Sequence, residues 1–249
     1  MKNPRPHLLF VSVSTLECRH LKALNQRPNT LMNKSTKKAA IYDHILEKLM
    51  TRQYRFGEKI VVKELSEETG VSRQPIMSAL SNLQERGFVE ITAQVGCTVY
   101  RPDSRAVSDF YRLFSANEGL IAALAAERGS EQEKRRLVEI NEKIGQINPA
   151  HSDADINYRT LNEEFHHQLH QMARSPLVSR QQMANFELSD FFIVQSCGFE
   201  VHLGDATDEH KHIIDAVQRA DATAARNAAV MHIDSVAEQV VHALERDDT

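Results

Sequence analysis

The histidines of the second half are where this chain could do chemistry. His166, His167 and His170 stand in LNEEFHHQLHQMA, His202, His210 and His212 follow, and His232 comes later. Asn162, His166 and His170 share a helix face by i, i+4 spacing. Imidazole ligates zinc, nickel, copper and iron, so several such residues converging in a fold could hold a divalent ion. Glu163-x-x-His166 and Glu209-x-x-His212 are both ExxH, and with Glu118 and Glu187 they could form a di-iron or di-manganese carboxylate enzyme. That motif is short, a chain rich in Glu and His produces it by chance, and it leaves the first hundred residues unexplained. Histidines merely hydrogen-bonded in a polar core would satisfy the same pattern.

Long helical patterns carry these residues. Helices are predicted near 104–127, 131–147, 153–173, 176–198, 206–220 and 222–245, punctuated by Gly129-Ser130, Asn148-Pro149, Ser175-Pro176, Gly204-Asp205 and Asp221. Short loops between them imply an antiparallel bundle of six to seven helices whose core can hold a ligand or a metal. No Gly-rich phosphate loop and no GxSxG elbow is present.

Residues 62–100 follow a different plan: helix, turn, helix and a small β-hairpin, the layout of a winged helix-turn-helix that sets a helix in the DNA major groove. Gly70 ends the first helix, and Ser72 stands where it can cap the next. Ile76, Leu80 and Leu83 form one apolar stripe at i, i+4 and i+7. Arg73, Gln74, Met77, Ser78 and Ser81 lie off that stripe, and Ser72, Arg73, Gln74, Met77 and Ser78 are the candidate DNA contacts. Lys37, Lys38, Arg55 and Lys63 are candidate phosphate contacts, and Gly96 is placed at the wing tip. Ile41, Ile45, Leu46 and Leu49 predict an amphipathic helix covering the open side.

The charge is divided accordingly. Residues 1–32 carry +4, residues 33–102 carry +3 and residues 103–249 carry −11, which together give the net −4. A basic front and an acidic rear fit a DNA-contacting domain joined to one that does not touch DNA. No apolar run approaches the ~20 residues that span a bilayer. Cys18, Cys97 and Cys197 are scattered, which fits a reducing cytoplasm and argues against a disulfide framework. Three divisions result: 1–32, read as a disordered extension with translation starting at Met32 as an alternative; 33–101, DNA-binding; and 104–246, all helical. The fold class is mainly α.

VSRQPIMSALSNLQERGFVEI resembles the signature of GntR-family regulators, in which VSR-x-P opens the recognition helix. The rear half is similar to the FCD ligand domain of the FadR subfamily. Asn162 to His166 matches its [DN]-x-x-x-H helix, Glu209-His210-Lys211-His212-Ile213 its E-H-x-x-I, and Met231-His232-Ile233 its last histidine. The resemblance covers roughly residues 36–245. It implies a divalent metal, zinc or nickel, on His166, His210 and His232, with Asn162 where aspartate is commoner. An amide oxygen ligates without adding negative charge, so such a set holds the ion more weakly than Asp–His₃.

The resemblance further implies a homodimer on palindromic operator DNA, with a small-molecule effector such as an organic or sugar acid and repression as the usual outcome. Membrane partners are not expected. Met77 and Ser78 replace the family's common Arg-Glu, and Val95 precedes Gly96 where arginine is common, so the DNA sequence read should differ. In the first helix of the ligand domain the family often has R-x-x-x-E. Here Glu118 keeps the glutamate, Phe114 takes the arginine's place and Arg112 is the nearest cation, which puts the usual effector clamp in question.

Overall fold

A computed structural model describes residues 34–151 and 153–247. The expectations for residues 1–32, and those for the side chains of Lys37 and Lys38, lie outside the described residues.

The front unit is a three-helix fold with a small sheet. Helix α1 (Lys34–Met50) lays Ile41, Ile45 and Leu49 on Leu65 of α2 (Val62–Thr69) and on Ile76, Leu80 and Leu83 of α3 (Arg73–Glu85). All seven are essentially removed from water, so the period-3.6 stripe read in α3 is its buried face. Gly70 ends α2 at φ +66°, a left-handed turn that a residue with a Cβ adopts only at a cost. Ser72 takes the N-cap position of α3, but its side chain makes no capping hydrogen bond.

The expected hairpin is present as β2 (Val89–Thr92) and β3 (Gly96–Val99), and a third strand joins it. Strand β1 (Lys59–Ile60) pairs antiparallel with β3, giving the order β1-β3-β2 with Ile60 opposite Cys97. Two residues cannot show a period of two, so β1 is illegible from pattern alone. Gly96 is not the tip of the wing. The turn is Ala93-Gln94-Val95, and Gly96 opens β3 at φ +127°.

The rear unit is built, among the described residues, from six α-helices: α4 (Ser104–Arg128), α5 (Glu131–Ile144), α6 (Ala154–Ala173), α7 (Pro176–Ser196), α8 (Ala206–Gln218) and α9 (Ala222–Asp247). A 3₁₀ turn, Glu200–His202, precedes α8. Asp103 caps α4 by accepting from the Ala106 N–H, and a capping box, Ser130 with Glu133, opens α5. Helices α4 and α9 pack closely because Ala122, Ala123, Ala125 and Ala126 are small. At Gly119 an added Cβ would stand 2.8 Å from Val230 Cγ2, so the two backbones meet there.

Helix α7 fastens the two units together. Gln195 is buried and fully used: its Nε2 donates to Leu49 O (2.7 Å) and Tyr54 O (2.9 Å), and its Oε1 accepts from the Phe56 N–H (3.1 Å). Phe191 lies edge-on between Phe56 and Phe88, with centroids 5.4 and 5.3 Å away. Arg86, just past α3, pairs with Glu187 at 2.7 Å. No described helix is long and apolar enough to cross a membrane.

Candidate functional site

Three helices bring three histidines to one point. His166 from α6, His210 from α8 and His232 from α9 are all buried, and a ligand atom of each lies within 4.8 Å of the others. Their rings are 4.7 to 5.6 Å apart between centroids, and Phe165 stacks flat on His210 at 3.8 Å.

Each ring is oriented from behind. His166 Nδ1 meets Glu118 Oε2 at 3.0 Å, and His232 Nδ1 meets Glu209 Oε2 at 2.7 Å. His210 Nδ1 meets Asn141 Oδ1 at 3.2 Å, while the Asn141 amide donates to Thr207 O and so turns that oxygen toward the ring. Carboxylate and amide oxygens only accept, so each Nδ1 carries a proton and the ring atom left to face the common point is Nε2. This is the arrangement in which an outer shell prepares imidazoles for a metal. His210 Nε2 is buried with no hydrogen-bond partner, and so is Asn162 Oδ1, one turn before His166. Two orphaned acceptors cost free energy that a bound cation offsets.

Electrostatics points the same way. Burial, then the nearby His232 and His166, push the His210 pKa well down, which keeps it neutral. Burial also lowers His166, against the pull of Glu118. Burial raises the Glu118 carboxyl, but hydrogen bonds from His166 and His170 outweigh this and hold it below the usual range. Glu118 is a fully buried carboxylate, and a divalent ion on the far side of His166 would supply it with a counter-charge. The residues present therefore fit a metal. His166, His210 and His232, with Asn162, would hold it, and it would polarise and orient an oxygen ligand.

The cavity at Asn162, His166 and His232 measures about 20 Å³, room for an ion or a single water. Phe114 lines it, buried against Phe186. Glu118 does not face a ligand, since both its oxygens are taken by His166 and His170. Arg112 is not brought to the cavity. Two positions from Phe114 on a helix turns it to the other side, where it is exposed beside Asp109 at 3.7 Å. The di-metal arrangement does not assemble either: Glu163 and His212 point to water, and Glu187 is engaged by Arg86. Sequence reasoning missed Asn141 and gave Glu209 no role behind His232.

The pH dependence of stability follows from these groups. Burial takes His202, at the cavity wall, down to about 4. The unfolded chain therefore binds protons on His202 and His210 from about pH 6.5, while the folded chain does not, so stability falls as pH drops through that window. Glu118 and Glu209, depressed when folded, extend the loss below about pH 4.5. Asp190, raised to about 6 by burial, and Asp155, also raised by burial, oppose this but are outnumbered by His166, His202, His210, Glu118 and Glu209. With chelator present, the melting temperature should be lower at pH 5 than at pH 7.5. An equal or higher value at pH 5 would contradict the neutral-histidine assignment.

The front unit presents the other surface. Ser72, Arg73 and Gln74 are exposed at the start of α3, and Met77 and Ser78 are half-buried one turn on. Arg55 and Lys63 are exposed nearby in sequence, Arg55 in the loop before β1 and Lys63 on α2.

Residues 37–99 match the profile described as bacterial regulatory proteins, gntR family, and residues 109–235, just over half of the chain, match that of the FCD domain. The chain is 22% identical over 210 residues to the HTH-type transcriptional regulator YdhC of Bacillus subtilis (strain 168), covering 82% of this chain and 91% of that one. It is 21% identical to a D-xylose utilization operon transcriptional repressor of Paenarthrobacter nicotinovorans, over 81% of this chain and 88% of that one. Among solved structures, E. coli McbR/YncC aligns with a TM-score of 0.64 at 16% identity, over 88% of this chain and all of that one. A transcriptional regulator GntR of Rhodococcus sp. RHA1 aligns at 0.66 and 14%, over 84% of this chain and 99% of that one. These structural likenesses concern the fold alone. The families matched are those of regulators and not of enzymes: the chain belongs to the GntR family of bacterial transcriptional regulators, with a GntR-type DNA-binding domain followed by an FCD ligand-binding domain.

Proposed function

We propose that the chain is a homodimeric cytoplasmic repressor of the FadR subfamily, whose hold on a palindromic operator is set by a small organic or sugar acid bound at a divalent metal in the helical domain. The observation that carries this reading is the set of three buried imidazoles whose ligand atoms lie within 4.8 Å of one another, each ring held from behind by Glu118, Asn141 or Glu209. An ion there needs no catalytic partner, and its remaining positions suit an effector's oxygen. Two-fold protein symmetry favours two-fold DNA sites. The effector acts by linkage: it prefers a dimer geometry whose recognition helices no longer match the half-site spacing, so operator and effector weaken each other by the same factor.

The test is gel retardation of DNA from the gene's own upstream region by zinc-loaded protein, with and without a panel of organic acids. Salt-sensitive retardation relieved by at least one acid is expected. Retardation that no small molecule relieves would reject metabolite control.

Asn162 offers a sharper check on the metal. Asn162→Asp adds a negative charge at the buried orphan oxygen beside His166. It is expected to tighten zinc binding about tenfold or more, since a charged donor within reach of a divalent ion is worth at least ~1.4 kcal/mol. Unchanged or weaker binding, measured by competition with a zinc indicator, would remove Asn162 from the ligand set.

A further inference from the structure

A cleft of about 260 Å³ lies between the two domains, and both contribute to its walls. Arg159 and Asn162 come from α6, Glu187 and Asp190 from α7, and Arg86 from the end of the recognition helix. Asn162 and Asp190 also line the small histidine cavity, so the cleft adjoins the metal position. At about 20 Å³ the inner cavity has room for an ion but not for the body of a ligand, which the adjoining cleft would hold.

Each guanidinium in the cleft already holds a carboxylate of the chain: Arg86 pairs with Glu187 at 2.7 Å, and Arg159 Nε with Asp190 at 2.6 Å. Two planar forks, each spaced for a carboxylate, face one cavity beside a metal position. We propose that this cleft binds a small dicarboxylate, one carboxylate directed to Arg159 and the metal position and the other to Arg86, so that the DNA-binding domain supplies part of the effector site. The inference rests on the reading of the chain as a metabolite-controlled regulator.

Binding is an exchange of carboxylates. Glu187 is 40% exposed and passes readily to water, whereas Asp190 is 13% exposed, so the Arg86 pair is the one that opens. A monocarboxylate reaches only one fork, and a third carboxylate meets Glu163 at the rim. The exchange also has a mechanical consequence. Arg86 is the C-cap of α3, donates to Tyr42 Oη and lies over the Tyr42 and Phe88 rings. A ligand that takes Arg86 from Glu187 removes the ion pair between the end of the recognition helix and α7, leaving Phe88 on Phe191 as the contact beside it.

The experiment is calorimetric titration of zinc-loaded, full-length protein with succinate, L-malate and glutarate, with butyrate as the single-headed control. At least one diacid is expected to bind, about tenfold or more weakly in Arg86→Gln, and several-fold more tightly in Glu187→Gln because its competitor is gone. A misfolded variant cannot bind more tightly, so Glu187→Gln keeps the test sharp. Diacid binding that neither substitution changes would overturn the proposal, as would failure of all three diacids to bind. Operator retardation by the same preparations separates the two readings. Release by an acid regardless of Arg86 ends only the dicarboxylate cleft, whereas retardation that no acid relieves ends metabolite control.

Discussion

The native chain is expected to carry about one divalent ion per molecule, and His232→Ala to abolish its retention. Three imidazoles converge on the position, and loss of one leaves two neutral rings and an amide. Changes to groups that merely support metal ligands cost 10–100-fold in affinity, so loss of a ligand should cost more than ~100-fold. The substitution is the cleaner of two because the group left behind, Glu209, has water beside it, its side chain being 27% exposed. His210→Ala should lose the metal equally but also destabilise the fold. It removes the ring stacked on Phe165 and leaves the Asn141 oxygen buried without a donor. In the native protein, zinc at a thousand times its Kd adds ~4 kcal/mol of stability, and this increment should vanish in both variants. His167→Ala and His212→Ala, at exposed positions, should keep the ion. Metal analysis and melting with and without zinc decide the matter: a His232→Ala protein that retains one ion per chain would end the three-histidine assignment.

What was legible in the sequence depends on how local each signal is. The buried stripe Ile76, Leu80 and Leu83 and the turn at Gly70 are properties of a few adjacent residues, and the structure places them as read. Strand β1 is set by its partner β3 and has no pattern of its own. The histidines illustrate both cases. Spacing along α6 made His166 and His170 equal candidates. The fold separates them, giving His166 an inward Nε2 and using the Nε2 of His170 to bind Glu118. The choice of His210 and His232 over His212 came from resemblance and not from spacing. The supports Glu118, Asn141 and Glu209 come from three helices, and no run of sequence joins them to the rings they hold. The same holds for Arg86 and Glu187, 101 residues apart, whose pairing exists only once α7 is docked on the front domain. Phe114 shows the limit of reading by substitution. Its place in the motif predicted a lost clamp, and the structure fills that place with a buried ring on Phe186.

Arg73→Ala is expected to weaken operator binding by about 5–150-fold per half-site, the range for a guanidinium contact worth ~1–3 kcal/mol. Arg73 is the first residue of α3, is exposed, and has no ion-pair partner among the described residues, so its guanidinium is free to meet DNA. Lys63, by comparison, already lies 3.8 Å from Glu67 on α2 and should cost less when removed. Met77 carries no charge and Ser78 is half-buried, so neither replaces the contact if Arg73 is lost. In a dimer the change occurs in both half-sites and the two losses add, because the sites are well separated. The variant also reveals which atom Arg73 touches. A phosphate contact, once lost, weakens all sequences alike and lowers the slope of log K against log salt by about 1 per contact. A base contact, once lost, leaves that slope nearly unchanged and relaxes the preference at one position of the half-site. Binding isotherms on the operator and on a scrambled sequence at two salt concentrations separate the outcomes. Native affinity in Arg73→Ala would mean that α3 does not enter the groove by its N-terminus.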